Sequence, residues 1–285
     1  MKKDKKFNSE TLGGRLKGYE AEYESSIEPK KHIIARIDGH HFSKFTRGFE
    51  KPFDEILSKA MEYTTKDLLE EFNAVTAYQQ SDEITLVIPS LMTAEKHRGE
   101  NRPLWKHSYN GRIQKMSSLI AGFTTMKFNK HFEKLTESYG ADNSYDDRYR
   151  FLMNKAYNAW FDCRIYGVPS DEEAFNSVLW RVRDCIKNSK SVYAQTYCSH
   201  KQLQGLTGQE QVQYCKEKTG NDWEEVEDRY KYGILVKRQY YIKEVDANIP
   251  GVYMPEKVQR SEIVSWSQHL VYSDENVKMV MSKVK

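Results

Sequence analysis

No apolar run in this 285-residue chain approaches the roughly 20 residues needed to span a bilayer, which excludes an integral membrane helix. No C-x-x-C pair occurs either. The four cysteines, Cys163, Cys185, Cys198 and Cys215, are too widely spread for a zinc knuckle. The charged start Met1-Lys-Lys-Asp-Lys-Lys6 has no apolar stretch behind it, so the thiols read as reduced and cytoplasmic rather than as a disulfide framework. Among eight histidines there is no H-E-x-x-H or H-x-x-x-H pair, and His97, His107, His131 and His269 read as surface or structural. Net charge is small: 44 Lys and Arg against 41 Asp and Glu give +3, too little to imply nucleic acid by itself. Internal repeats and low-complexity stretches are absent beyond the lysine-rich start.

What is present is a globular composition, 39% hydrophobic and 13% aromatic, long enough for one large domain or a core with a substantial elaboration. The charge is unevenly placed. Residues 96–116 carry Lys96, Arg98, Arg102, Lys106, Arg112 and Lys115 against Glu100; residues 177–204 carry Arg181, Arg183, Lys187, Lys190 and Lys201 against Asp184. Two such segments in a nearly neutral chain point to a localised polyanion surface, with solvated helix faces as the plainer reading. Trp105 and Tyr109 interleave with the first segment, placed to stack on bases or to pack an insertion.

Residues 32–38 read as a buried strand ending at Asp38-Gly39, and 53–72 as an amphipathic helix after Pro52. Val75–Gln79 and Ile84–Pro89 form a hairpin with Ser81-Asp82-Glu83 at its turn. A helix follows over 111–132, then a strand over Trp160–Tyr166. Ser170 and Glu173 form a capping box opening a helix to about Lys187, and Ile234–Val245 is a further strand. Residues 92–110 and 134–158 read as loops. The order β-α-β-β-α-β predicts an α+β class fold, a split βαβ sheet like a polymerase palm with its helices on one face, plus a C-terminal α/β elaboration. Residues 1–190 are expected to form the palm-like domain with an N-terminal extension, and 191–285 an appended region packed on it.

In that topology the first strand is central, so Asp38 and the hairpin acids Asp82 and Glu83 meet at one sheet edge. Crowded carboxylates repel unless cations sit among them. A pair of Mg²⁺ ions about 3.5–4 Å apart fits hard oxygen donors and would serve an in-line phosphoryl displacement. Gly39 admits a close backbone approach, and His40-His41-Phe42-Ser43 offers N–H groups to a triphosphate. Ordinary turn chemistry explains Asp-Gly and Ser-Asp-Glu equally well.

Ala35-Arg-Ile-Asp38-Gly39-His-His-Phe42, Phe49-Glu-Lys51-Pro52 and Tyr78-Gln-Gln-Ser81-Asp82-Glu83 resemble the tRNA-histidine guanylyltransferase family, which includes the Thg1-like proteins. Leu12-Gly13-x-Arg15-x-Lys17-x-Tyr19-Glu20, Gly111-Arg112-x-x-Lys115, Phe161-Asp162-x-Arg164, Val168-Pro169-Ser170, Leu179-Trp180-Arg181-x-Arg183-Asp184 and Ser199-His200-Lys201-x-Leu203-x-Gly205 match in the same order, with Arg260-Ser261-Glu262 near the end. The resemblance implies nucleotide addition to the 5′ end of tRNA, after activation of its 5′-phosphate by ATP or GTP. Asp38 and Asp82 would hold metal with the Gly39 carbonyl, and Glu83 would support the catalytic site. Lys51, Ser81 and the loop from His40 to Ser43 would face nucleotide. Arg112, Lys115, Arg181, Arg183, His200 and Lys201 would hold triphosphate or RNA, Arg in bidentate fashion. Family members are commonly homo-tetramers, dimers of dimers.

Members specialised for tRNA-histidine carry His-Ile-Asn-Asn where this chain reads Ile186-Lys187-Asn188-Ser189. That departure resembles the Thg1-like branch, whose members repair 5′-truncated tRNA by template-dependent 3′–5′ addition. The alternatives are tRNA-histidine guanylylation proper, a palm-type cyclase acting on free triphosphate, and a catalytically silent RNA binder.

Overall fold

The computed structural model describes residues 11–91, 107–244 and 257–283. The elements are α1 (Leu12–Glu22), β1 (His32–Gly39), α2 (Phe42–Phe45), α3 (Glu55–Glu71), β2 (Thr76–Gln80), β3 (Glu83–Ile88), α4 (Ile113–Asp142) and α5 (Asp147–Met153). They continue with β4 (Phe161–Val168), α6 (Asp171–Tyr197), α7 (His200–Leu203), α8 (Gly208–Thr219), α9 (Asp228–Tyr232), β5 (Ile234–Glu244), β6 (Lys257–Trp266) and α10 (Asp274–Met281). All strand pairings are antiparallel, in the order β4-β1-β3-β2-β5-β6. The first four in space, β4-β1-β3-β2, are the split βαβ arrangement that the element order predicts.

Alternation along β1 sets the layers, because successive side chains leave opposite faces of a strand. Ile33, Ala35 and Ile37 pack with Ala60, Met61 and Leu68 of α3 and with Ile120, Phe128 and Phe132 of α4. These are the two crossover helices, and they share one face as expected. Ile34 lies in the other apolar cluster, with Val87, Phe175 and Val178 of α6 and Val280 of α10. The sheet is therefore covered on both faces, which explains why β1 reads as a continuous apolar run.

Three boundaries differ from expectation. Helix α4 continues to Asp142 and, with the seven-residue α5, occupies much of the segment 134–158 expected to be loop. The continuation packs closely: a Cβ on Gly140 would stand 2.5 Å from the Tyr149 ring, so glycine lets α5 lie against α4. Helix α6 runs ten residues past Lys187, because Tyr193, Ala194 and Cys198 enter a separate cluster with Val212 and Cys215 of α8 and with Trp223. The expected domain boundary at 190 thus falls inside α6. Beyond it, β5 extends the palm sheet through Ala77↔Val236, so the C-terminal region shares that sheet.

Lys237 shows how tightly that region is tied in. It is fully buried on β5, and its Nζ donates to the carbonyls of Met279 and Ser282 at 2.6 Å each and to the Thr76 hydroxyl at 2.7 Å. The lysine closes the C-terminal end of α10, while burial pulls its pKa down to about 7. Lys237→Ala leaves those acceptors unmet and opens a cavity, and should destabilise the protein by about 3 kcal/mol. Denaturant unfolding reads this directly, and an unchanged midpoint would remove the lysine from the supports of the fold.

Candidate active site

Register assembles the acids. Asp38 is the partner of Glu83 on β3 and of Asp162 on β4. The hairpin turn is the pair Ser81-Asp82, tighter than expected, since Gln80 and Glu83 both belong to the strands. Ser81 takes φ +45°, a left-handed value that this two-residue turn requires. Asp38 is close enough for its charge to be felt at Asp82. Burial first, and then the Asp38 charge, push the Asp82 carboxyl above its ordinary value. Among the described residues no cation pairs with Asp82. Glu83 is also raised by burial, against the opposing pull of Arg181. Arg164 approaches Asp38 at 3.9 Å and Asp162 at 3.8 Å.

The loop after β1 is held by its aromatics. A Cβ on Gly39 would lie 2.2 Å from Cδ2 of Phe42. Phe42 is buried against Phe45, Phe128 and Phe161, with ring centroids 5.0, 5.7 and 5.0 Å away, and has no room to withdraw. His41 begins α2 at φ +52°, and the His40 N–H donates to the Trp160 carbonyl at 2.9 Å.

Beside Asp82 opens a cavity of about 380 Å³, within the range of small-molecule sites. Phe42, Ser43, Lys51, Ser81 and Asp82 of the predicted site line it. His40 and His41 do not; their rings pack edge-on at 4.1 Å, and His40 rests against Trp160 at 4.6 Å.

The predicted phosphate binders scatter. Arg181 is buried and committed, donating to Glu83 and, at 2.9 Å, to Asp184. It fixes Glu83, one of the predicted acids, instead of presenting a free guanidinium to phosphate. Arg112 and Lys115 sit at the other end of the sheet: Gly111 bonds and abuts Ile27, which meets Gly167 beside Ile33. From Ile33 to Asp38 the strand rises about 17 Å, so these two residues cannot reach a triphosphate at Asp82 within one protomer. Arg112 pairs with Glu24, and Lys115 lies over Tyr109 at 5.4 Å. Arg183 is exposed on α6; His200 and Lys201 are exposed on α7, outside the cavity lining. Lys96, Arg98, Arg102, Lys106 and Trp105 of the first basic segment lie outside the described residues.

Several participants escaped the sequence reading. Asn188 and Ser189 of α6 line the cavity, as do Arg229 and Tyr230 of α9. Tyr230 stacks on Phe53 at 4.5 Å, and Arg229 bonds Ser58 at 2.8 Å and Glu62 at 3.2 Å. Only a contact spanning 171 residues places Arg229 beside α3, and no local pattern encodes that.

A raised carboxylate pKa means the folded state holds a proton the unfolded chain has already released. Its stabilising effect is present below the unfolded value and lost as pH rises through the folded one. Asp82 therefore burdens the metal-free protein at neutral pH. Asp82→Asn should raise the thermal midpoint at pH 7, and the gap from wild type should close as pH falls through the raised value. A gap that stays constant with pH would show that Asp82 does not titrate as its surroundings dictate.

A palm-type sheet, two carboxylates meeting at its edge and a cavity of mixed polar and apolar lining beside them are the frame of a nucleotidyltransferase of the polymerase-palm class. The family model for tRNAHis guanylyltransferase (Thg1) matches residues 13–169, more than half of the chain. An uncharacterised protein of Acanthamoeba polyphaga mimivirus is 33% identical over 284 residues, covering 96% of this chain and 90% of that protein. A bacterial Thg1-like protein solved in complex with ATP aligns at TM-score 0.66 and 31% identity, covering 79% of this chain and 88% of that one. Another such structure, in complex with GTP, aligns at TM-score 0.62 and 26% identity over 88% and 90% of the two chains. The chain belongs to the tRNA(His) guanylyltransferase (Thg1) family.

Proposed function

We propose that this protein adds nucleotides in the 3′–5′ direction to the 5′ end of tRNA, with 5′-truncated tRNA as its substrate. ATP or GTP first activates the 5′-phosphate. The supporting observation is the half-buried Asp82, which feels the charge of Asp38 and is unmatched by a described cation, at the mouth of a cavity carrying Ser43, Lys51 and Ser81. The family also contains tRNA-histidine guanylyltransferases. The Ile186-Lys187-Asn188-Ser189 stretch, without the family's His-Ile-Asn-Asn, favours the repair reading.

Among the described residues no three His, Cys, Asp or Glu side chains form a ready metal cluster. The donor set still fits Mg²⁺, which takes few protein carboxylates and fills its octahedron with phosphate and water. Asp38, Asp82 and the Gly39 carbonyl would hold the two ions. Bound there, they supply charge neutralisation at the attacking and leaving oxygens of a phosphoryl displacement. The rest falls to the protein. Lys51 and the Ser43 and Ser81 hydroxyls hold the triphosphate in the cavity. Phe53, stacked on Tyr230, bounds the cavity with a rigid aromatic wall. Arg181 keeps the Glu83 carboxylate fixed beside Asp38, so the acids need no reorganisation when substrate arrives.

We further propose a homo-tetramer in the cytoplasm. Helix α1 buries none of its residues and shows Leu12, Leu16 and Tyr19, followed by Tyr23, in one exposed stripe that a second subunit would cover. The four free thiols suit a reducing compartment. Light scattering tests the assembly; a monodisperse monomer at micromolar concentration would refute it.

Incubation of the enzyme with Mg²⁺, NTPs and 5′-truncated tRNA should give a labelled, lengthened RNA, while NTPs alone give no product. Product from NTPs alone, in particular a cyclic nucleotide, would establish the cyclase reading.

A further inference from the structure

Trp180 stands on α6 one residue before Arg181, yet it faces outward, with 51% of its surface exposed. An indole that large is ordinarily packed away, and this one lies at the catalytic edge. The guanidinium of Arg181, which holds Glu83, is 4.6 Å from the ring centroid. That of Arg36 is 5.3 Å away and reaches toward Glu83 at 3.9 Å. Arg36 and Asp38 leave β1 on the same face, two residues apart. The ring thus lies over the two guanidiniums that approach Glu83. The nucleotide cavity does not use it: Trp180 is absent from the lining, which draws on α6 only from Cys185 onward.

The neighbouring surface is charged for a polyanion. Arg183 and Lys187 follow Trp180 at helical spacings of three and seven, both exposed and neither ion-paired to a described residue. The buried Nε–H groups of Arg36 and Arg181 have no acceptor among the described residues, so Glu83 does not use all the donors beside it. Across the sheet, Arg164 is 55% exposed at its side chain, next to Asp38. An aromatic platform followed by basic side chains along one ridge is the pattern of a single-stranded nucleic-acid track, in which stacking tolerates any base and the cations follow the backbone.

We propose that Trp180 is the stacking platform for the 5′-terminal base of the RNA acceptor, with Arg183 and Lys187 following the strand away from the acids along α6. The two substrates then arrive from different sides of the carboxylates, the triphosphate from the cavity and the RNA end from the Trp180 ridge. This assignment rests on the RNA-extending reading above and adds the acceptor subsite to it.

The test compares binding of a 5′-truncated tRNA with that of the same RNA carrying an abasic 5′-terminal nucleotide, by fluorescence anisotropy without NTP. Wild type should bind the abasic RNA about tenfold more weakly, the scale of one base–aromatic stack. Trp180→Ala should bind both RNAs alike, at the weaker level, and Trp180→Phe should restore most of the discrimination. Displacement of a fluorescent ATP analogue should be unchanged in both variants. Equal wild-type affinity for the two RNAs, or discrimination that persists in Trp180→Ala, overturns the platform. Weakened ATP-analogue binding in Trp180→Ala with RNA discrimination retained would give the indole to a nucleotide base and overturns it too. A wild type that binds neither RNA removes the RNA-extending function itself, a failure distinct from loss of the platform alone.

Discussion

Asp82→Asn is expected to lower nucleotide addition by on the order of 10⁴-fold, the scale on which removal of a central catalytic group acts. RNA affinity should be nearly unchanged. Asparagine keeps the shape of the turn and one oxygen, but it removes the charge that the proposed divalent cation would need. The same substitution should make the metal-free protein more heat-resistant at pH 7, because the charge of Asp82 is held partly away from water and, to a lesser degree, repelled by Asp38. Opposite changes in stability and activity are the signature of a residue kept for function. Asp38→Asn should match the activity loss. A variant active within tenfold of wild type would mean that the acids serve only the hairpin turn.

Gly39→Ala should have the next largest effect, through packing. The added methyl meets the Phe42 ring at 2.2 Å, and Phe42 is hemmed in by Phe45, Phe128 and Phe161. Either the loop after β1 shifts, carrying Ser43 and the Gly39 carbonyl with it, or the aromatic cluster opens. Overpacking of this kind costs about 1–3 kcal/mol, and a displacement near 1 Å at a reacting centre costs about 10²-fold in rate. A second change, Phe42→Leu, relieves the clash and should recover stability in the Gly39→Ala background while costing stability in the wild type. Thermal unfolding and turnover of the four proteins form a double-mutant cycle. Additive effects would show that glycine is not required by Phe42.

The features legible in the sequence were those encoded locally. The apolar run of β1, the amphipathic period of α3 and the short link between β2 and β3 gave the palm topology, and that topology brought Asp38 and Asp82 to one edge. Ser43 and Ser81 lie beside those acids in the chain, Lys51 was implied by the family resemblance, and the three line one cavity. Features set by long-range packing stayed hidden. Arg112 and Arg181 carry the same charge, yet one pairs with Glu24 at the far end of the sheet and the other is buried against Glu83. Nothing in charge or spacing separates them; only the direction in which α4 and α6 cross the sheet does. Arg229 and Tyr230 reach the cavity because β5 pairs with β2. The exposure of Trp180 follows from the neighbouring Arg181 turning inward, which a helical period alone does not reveal.

The most direct measurement is Mn²⁺ binding, followed by electron paramagnetic resonance, in the presence of a non-hydrolysable ATP analogue. Wild type should take up the ion together with the nucleotide, and Asp38→Asn and Asp82→Asn should each leave it free in solution. Full Mn²⁺ uptake by both variants would place the ion somewhere other than between these two acids and would contradict the site described above.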